Sequence, residues 1–143
     1  DIQGQARVNA LSPVPISGGE HEYTRWGARE YFEARAVDIY QADTVWAGGV
    51  SEMLKIFAMG SAFGVEVIPH GGAVPINAHL TAAQSPATTP LIEYLVQWNE
   101  IMQFFWTHPI KPVNGHITVG ELPGLGLAID ESKVTARKLL EWP

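Results

Sequence analysis

Four short apolar stretches of this chain are each followed, within a few residues, by a side chain that can take part in acid/base chemistry or bind a metal. These side chains are Glu20, Asp43, His70 and Glu93, at intervals of 23, 27 and 23 residues. An interval of this size holds one strand, one helix and two loops, so the chain repeats a βα unit. The carboxyl ends of parallel strands share one face, which is where α/β folds carry their chemistry.

Extended and helical segments alternate along the first 95 residues. The chain opens with the tail of an amphipathic helix, over residues 1–11. Thr24 and Ser51 are expected to cap two of the later helices, Pro75 to open a third, and Gly64 to end the second. The predicted strands are 14–17, 37–42, 65–69 and 91–95, and the predicted helices between them are 25–36, 52–63 and 75–83.

The alternation ends after residue 95. Residues 98–106 are rich in aromatic side chains and fit no single element. Prolines and glycines then break up residues 108–126, which reads as loop with a strand near 116–119. A further short strand is predicted over 127–129 and a terminal helix over 131–141.

Four βα units of this size make half of an eight-stranded TIM-type (β/α) barrel. The alternative is a doubly wound open sheet. Its glycine-rich phosphate loop is missing, because neither Gly48-Gly49 nor Gly71-Gly72 lies in a GxGxxG pattern. Functional groups at four successive strand ends favour the barrel, whose strand ends converge on one mouth.

Charge and composition argue against several classes of protein. The net charge of −6 argues against a nucleic-acid partner, because phosphate binding needs a basic face. No run of 18 apolar residues is present, so no membrane span is expected. The chain has no cysteine, which excludes a disulfide framework and thiolate metal sites. We expect a cytoplasmic protein.

Three carboxylates and a histidine at one barrel mouth suit metal-assisted acid/base chemistry. Mg²⁺ prefers oxygen ligands, takes only a few carboxylates and leaves other positions to water and substrate. A carboxylate beside an imidazole holds the ring in one tautomer, which suits a general base. The competing interpretation is that these acids are solvated loop residues, and the regular spacing of all four weakens it.

The segments that carry these side chains resemble a known family over essentially the whole chain. They are Gly19-Glu20-His21-Glu22, Asp43 with Ala47-Gly48-Gly49, Pro69-His70-Gly71, Glu93 and Pro123-Gly124-Leu125-Gly126. In order and spacing they resemble the mandelate racemase subgroup of the enolase superfamily. Within that subgroup they are most similar to acid-sugar dehydratases, which act on aldonates such as L-rhamnonate.

The resemblance implies a fold and a division of the chain. Residues 1–126 would form the C-terminal half of the barrel, strands five to eight. Residues 127–143 would form a strand and helix that return to a capping domain absent from this sequence. The first half of the enzyme is expected as preceding sequence or as a companion chain, and we also expect a homo-oligomer.

The resemblance also implies roles for the strand-end residues. Glu20 resembles one metal ligand, and the remaining ligands of the Mg²⁺ ion would lie N-terminal to Asp1. Asp43 and His70 resemble the catalytic dyad of the family. Glu93 resembles the strand-eight carboxyl group that acts in catalysis and hydrogen-bonds the substrate carboxylate.

Two further residues are candidates for substrate binding. His21 follows the implied metal ligand, and Trp46 lies just beyond the dyad aspartate, although a packing role for each is open. The other histidines, His79, His108 and His116, are expected on a helix or in loops.

The implied reaction is the removal of the proton α to the carboxylate of a sugar acid, followed by elimination of the 3-hydroxyl group. Its product is a 2-keto-3-deoxy acid. A racemase or cycloisomerase that shares the enediolate step remains open, as does a non-catalytic sugar-acid-binding homologue. A binding protein has no need of the dyad, which argues against the last of these.

Overall fold

The computed structural model describes residues 1–141 of the chain. Short parallel strands alternate with helices in its first 82 residues. The elements are α1 (Ile2–Leu11), β1 (Ser17–Gly18), α2 (Thr24–Ala34), β2 (Ile39–Tyr40), α3 (Val50–Phe63), β3 (Glu66–Val67), α4 (Val74–Ala82) and α5 (Val96–Met102), followed by a 3₁₀ turn at Glu131–Lys133.

The three strands form one parallel sheet in chain order. Tyr40 at the end of β2 pairs with Gly18 on one side and with Val67 on the other. Consecutive parallel strands joined by helices are the arrangement found along one side of a βα barrel. The predicted fold class, a partial TIM-type barrel, is therefore confirmed, although each strand is shorter than the apolar stretch that predicted it.

The hydrophobic core lies between the sheet and helices α2 and α3. Phe32, Tyr40 and Ile56 are fully buried in it, and each such side chain contributes about 1.5–3 kcal/mol of burial free energy. Helix α3 approaches β3 closely, because a Cβ atom at Gly60 would lie 2.5 Å from Cγ2 of Val67. The core thus fixes where β2 and β3 end.

Two of the predicted helix signals are confirmed, and the other two helices begin one or two residues earlier than predicted. Gly64 ends α3 with a φ of 68°, and Pro75 lies in the first turn of α4. Thr24 is the first residue of α2, with a φ of 60°, and its Oγ1 accepts the Trp26 N–H group at 3.3 Å, which is the hydrogen bond that a capping side chain makes. Helix α3 begins one residue before Ser51.

The predicted fourth strand, residues 91–95, does not form. The Val67 N–H group on β3 instead donates to the carbonyl of Thr88, 3.0 Å away. Pro90 has no N–H group to continue such a ladder. The segment after Pro90 runs directly into α5. This helix overlaps the aromatic stretch 98–106, for which the sequence predicted no element.

The C-terminal predictions are also corrected. Residues 116–119 form no strand, and the local pairing is a single bridge between Val113 and His116. Residues 127–129 contribute one antiparallel bridge, from Ile129 to Trp106.

The helix predicted over 131–141 is replaced by the 3₁₀ turn. A segment of this length is marginal as an isolated helix. In the structure the Lys133 ammonium donates to the carbonyl of Phe104 and lies over the Phe104 ring. The last two residues of the predicted unit 127–143 lie outside the described residues. None of the helices in residues 1–141 is long and apolar enough to cross a membrane.

Candidate active site

Three of the four predicted side chains meet at the carboxyl end of the sheet. Glu20 lies two residues beyond β1, Asp43 three beyond β2 and His70 three beyond β3. All three line one cavity of about 520 Å³. Gly19 has a φ of +105° and lies against the ring of Tyr40, where any side chain would collide with that ring. This turn brings Glu20 over the strand ends.

Asp43 and His70 form the predicted contact. Nδ1 of His70 lies 3.0 Å from Oδ2 of Asp43. The other oxygen, Oδ1, accepts the N–H groups of Val45 at 2.8 Å and Trp46 at 3.1 Å. A carboxylate can only accept, so Nδ1 of His70 carries a hydrogen, and Nε2 is the ring nitrogen that faces the cavity. This is the tautomer that a general base with Nε2 as its reactive atom needs.

Glu20 lies between two histidines. Its Oε1 atom is 3.4 Å from Nε2 of His70 and 3.4 Å from Nε2 of His21. The His70 side chain is largely buried, whereas those of Glu20 and His21 are 44% and 70% exposed. A lone pair on Nε2 of His70 facing a carboxylate oxygen is an unfavourable pair, which a proton or a cation between the two atoms would relieve.

Glu93 is held away from the cavity. Its Oε2 atom accepts the N–H group of Gly71 at 2.7 Å, and Glu93 is not among the residues that line the cavity. A Cβ atom at Gly71 would lie 2.8 Å from the carbonyl oxygen of Glu93, so the two segments are in direct contact. Glu93 therefore supports the loop that carries His70, and its predicted contact with substrate stays a prediction.

An aromatic stack forms one wall of the site. The ring of His21 lies on that of Trp46, with centroids 4.8 Å apart, and the ring of Tyr23 is nearly parallel to that of Trp46, with centroids 6.5 Å apart. Trp46 lines the cavity, whereas His21 reaches it through Glu20. Tyr23 was not predicted, because nothing in the local sequence shows that two loops place their rings in parallel.

Most of the remaining cavity lining is apolar. Val45, Pro75 and Ile76 contribute to it from the first part of the chain. Large apolar side chains from the last third of the chain add the rest: Leu95, Trp98, Met102, Trp106, Leu125 and Leu127. A few acid/base groups in a largely apolar cavity are the usual composition of a small-molecule site.

A buried polar network behind the dyad was not predicted. The hydroxyl of Thr44 donates to Oδ1 of Asn77 at 2.6 Å, and Nδ2 of Asn77 donates to the carbonyl of His70 at 2.7 Å. Nδ2 of Asn99, on α5, donates to the carbonyl of Gly71 at 2.7 Å. The available signal was an asparagine within a helical segment, where this residue is a poor helix former unless its side chain has a specific partner.

Tyr40 is excluded as an acid/base group at the foot of the site. Burial raises the pKa of its hydroxyl far above the ordinary value of 10.0, and the carboxylate of Glu22 adds to the shift. The phenol therefore stays neutral at any physiological pH.

The residues present fit Mg²⁺ in part. Among residues 1–141 no group of three histidine or acidic side chains is arranged to hold a metal ion. Glu20 is suitable as one ligand, because it is a carboxylate at the cavity edge and one of its oxygens faces two imidazoles. Asp43 is less suitable, since both of its oxygens already accept hydrogen bonds.

Comparison with known proteins shows the same fold and an extensive sequence match. The family described as enolase C-terminal domain-like matches residues 1–133. Arabinonate dehydratase of Saccharolobus solfataricus is 41% identical over 87% of this chain and 34% of its own length. D-galactarolactone cycloisomerase of Agrobacterium fabrum is 35% identical over 94% of this chain and 38% of its own length.

Two further matches extend the comparison. L-rhamnonate dehydratase of Saccharopolyspora erythraea is 34% identical over 89% of this chain and 33% of its own length. The crystal structure of L-talarate dehydratase from Polaromonas sp. JS666, complexed with Mg and L-glucarate, superposes with a TM-score of 0.77. It is 25% identical and covers 92% of this chain and 35% of its own. The chain thus spans about a third of the length of the curated relatives it matches.

Proposed function

The chain belongs to the enolase C-terminal domain-like family, and we propose that it supplies the second half of the catalytic barrel of a sugar-acid dehydratase. The observation that carries the proposal is the His70–Asp43 pair at the cavity, with Nδ1 on the carboxylate and Nε2 directed inward. The curated relatives support the class, since two of the three are named as dehydratases of sugar acids.

In the proposed reaction His70 moves protons at the reacting carbons. The C2–H bond of the sugar acid breaks, its electron pair passes into the carboxylate as an enediolate, and a base takes the proton. The C3–O bond then breaks, and the departing hydroxide takes a proton from the His70 imidazolium to leave as water. The remaining enol rearranges to the 2-keto-3-deoxy acid.

Asp43 holds His70 in the required tautomer throughout. The N–H groups of Val45 and Trp46 fix the carboxylate, and the imidazole cannot turn without losing its hydrogen bond to Oδ2 of that carboxylate. His70 can serve both as the base and as the acid, and a second base from outside residues 1–141 is the alternative for the first step.

We propose that Glu20 is one ligand of a Mg²⁺ ion whose remaining ligands come from the first half of the barrel. Bound Mg²⁺ stabilises negative charge on the carboxylate of a substrate. Trp46 and His21 would bound the substrate on the side of the aromatic stack, and Glu93 would act through Gly71. The partners proposed are therefore a sugar acid and the N-terminal half, as preceding sequence or as a companion chain.

A cycloisomerase is the second candidate, because the match to D-galactarolactone cycloisomerase covers 94% of this chain. Such an enzyme shares proton removal next to a carboxylate but eliminates no hydroxyl group. A dyad that can deliver a proton to a leaving group favours dehydration.

The test uses the complete enzyme, meaning this chain together with the first half of the barrel as preceding sequence or as a companion chain. It is assayed with Mg²⁺ and a panel of sugar acids and lactones that includes L-rhamnonate and arabinonate. We expect release of a 2-keto acid and exchange of the α-proton in deuterated water. Isomerisation without formation of a keto acid would support the cycloisomerase. Binding without exchange at the α carbon would show a non-catalytic homologue.

A further inference from the structure

We propose that Asn77 is a positioning residue that ties the Asp43 segment to the His70 segment through a buried hydrogen-bond relay. The inference rests on the proposed function, because it concerns the dyad that this function uses. The relay runs from the Thr44 hydroxyl to Oδ1 of Asn77, and from Nδ2 of Asn77 to the carbonyl of His70. It joins the residue after Asp43 to the backbone of His70 itself.

The relay is short and closed to solvent. Its two hydrogen bonds measure 2.6 Å and 2.7 Å, and both Thr44 and Asn77 are fully buried. A buried polar group that loses its partner costs about 1–3 kcal/mol. The relay therefore holds the two segments together in addition to the dyad contact and to the hydrogen bond from the His70 N–H group to the carbonyl of Ala42.

The orientation of the Asn77 amide follows from its neighbours. The carbonyl of His70 can only accept, so the amide NH₂ group must face it, and Oδ1 must face the Thr44 hydroxyl, which donates. The reverse orientation would place two acceptors in contact at His70. Only an amide at position 77, with one acceptor and one donor end, completes the relay.

The loop of His70 has a second anchor of the same type that lacks this link. Nδ2 of Asn99 donates to the carbonyl of Gly71, but the other partners of the Asn99 side chain, Leu95 and Gln103, flank α5 and are not on the Asp43 segment. Asn99 thus supports the loop alone, whereas Asn77 couples the loop to Asp43. Variants of the two asparagines can therefore distinguish support of the His70 loop from coupling of that loop to Asp43.

The test compares Asn77→Leu and Thr44→Val in the complete enzyme. Leucine keeps the size of the side chain and removes both polar atoms, and valine removes only the hydroxyl. The matched control is Asn9→Leu, because Nδ2 of Asn9 also donates to a backbone carbonyl, that of Arg35, far from the cavity. The readouts are kcat and KM for dehydration, α-proton exchange, and the ring tautomer of His70 from ¹⁵N NMR of histidine-labelled enzyme.

We expect Asn77→Leu to lower kcat by about 100-fold with KM changed less than about 3-fold, since a small displacement of a catalytic group costs that much. The His70 ring should then show a mixture of tautomers. Thr44→Val should lower kcat by about 10-fold, and Thr44→Ser, which restores the hydroxyl, should recover most of that loss. Asn9→Leu should change stability only.

A double-mutant cycle isolates the coupling. Thr44→Val and Asn77→Leu act on one relay, so their effects on kcat should be strongly sub-additive, whereas Thr44→Val and Asn99→Leu should add. The proposal is overturned if the effects of Thr44→Val and Asn77→Leu on kcat are additive. It is also overturned if Asn77→Leu folds and leaves both kcat and the His70 tautomer unchanged. If Asn77→Leu fails to fold, unchanged kcat and tautomer in Thr44→Val overturn it.

The proposed function and this inference can fail separately. If the wild-type enzyme neither exchanges nor dehydrates any sugar acid, the proposed function is wrong, and the tautomer of His70 still decides whether Asn77 positions the ring. If the wild type is active and the variants alter stability alone, the function stands and the positioning role is wrong.

Discussion

The two nitrogens of His70 have different environments, and that difference is what makes the side chain useful. Nδ1 is bound to a carboxylate that itself accepts two backbone N–H groups. Nε2 faces the cavity and lies near Glu20. Because the ring is held at one nitrogen only, the other is available to take and return a proton.

Replacing His70 should therefore cost more than replacing its partner. We expect His70→Asn in the complete enzyme to keep its fold and to lose turnover by about 10⁴-fold or more, because proton removal and leaving-group protonation are each worth about 10²–10⁴-fold. Asp43→Asn keeps the imidazole but disturbs its orientation, so a loss of about 10²-fold is expected. The steady-state rates of dehydration and of α-proton exchange measure the loss in each of the two variants.

Exchange at the α carbon provides the control for the identity of the base. Unimpaired exchange in His70→Asn would assign proton removal to a residue outside residues 1–141. Unimpaired dehydration would remove His70 from the mechanism.

Glu93 gives a second prediction at this scale, because its carboxylate is occupied by the Gly71 N–H group. Glu93→Gln keeps an acceptor oxygen and should change the free energy of unfolding by less than about 0.5 kcal/mol. Glu93→Leu leaves a buried N–H group without a partner and should cost about 1–3 kcal/mol. Denaturant unfolding of the complete protein measures the difference, and KM should be the same in wild type and Glu93→Gln. A marked rise of KM in Glu93→Gln would show instead that Glu93 binds the substrate.

At the scale of the elements, a charged cluster joins the start of α2 to the first turn of α3. The carboxylate of Glu52 accepts the backbone N–H group of Arg25 at 3.0 Å, the Arg25 guanidinium at 2.7 Å and the Lys55 ammonium at 3.0 Å. These donors, with the backbone N–H group of Arg25 the strongest, lower the pKa of Glu52 from 4.5 to about 2. The cluster thus links the first turns of the two helices.

The stabilisation from Glu52 should depend on pH in a defined window. A carboxyl group whose pKa is lower in the folded protein stabilises it fully above the unfolded pKa of 4.5, and this stabilisation is lost as the pH falls toward about 2. Glu52→Gln should thus be less stable than wild type at pH 7, and the difference should shrink between pH 4.5 and pH 2.

Urea unfolding of the complete protein across this range measures the effect. Glu33→Gln is the matched control, because Glu33 makes an exposed i,i+4 ion pair with Arg29 on α2. Exposed pairs of this kind contribute little to the free energy of unfolding. If the difference in unfolding free energy between wild type and Glu52→Gln stayed constant down to pH 2, it would not come from the lowered pKa of Glu52.

At the scale of the whole molecule, the described residues leave a large apolar surface exposed. Five large side chains on and after α5 are each about half or more accessible: Trp98, Ile101, Met102, Phe104 and Phe105. Contiguous apolar surface of this kind indicates a contact with another part of the protein. The outer edge of β1 is likewise without a strand partner among residues 1–141, which exposes backbone groups that a barrel would pair.

We therefore expect the 143-residue chain, expressed alone, to lack a cooperative melting transition and to aggregate. The match to only about a third of each curated relative leads to the same expectation. Sedimentation and thermal unfolding test it, with the complete protein as the control. A monomer that melts cooperatively would contradict the requirement for a first half of the barrel.

Much of the fold was predictable because it depends on local pattern. The apolar stretches before Glu20, Asp43 and His70, the glycine that ends α3 and the proline in the first turn of α4 each express a preference of a few neighbouring residues. The strand predicted over 91–95, which contains Glu93, failed because a strand forms only with a partner, and Pro90 and the turn into α5 remove that pairing. The helix predicted over 131–141 failed because a segment of this length is marginal by itself, and the contact that the structure gives it is a polar one, from Lys133 to Phe104.

The sequence by itself determined the order of the βα units, the residue types at the strand ends and the resemblance to a family, since all three are properties of spacing along the chain. Only the tertiary structure decided which atoms meet. It placed Nδ1 of His70 on Asp43, turned Glu93 onto the backbone of Gly71, and set Asn77 between the two dyad segments. Those contacts join residues that are distant in the chain, and each depends on how the packed core aligns the ends of β2 and β3 to within about an ångström.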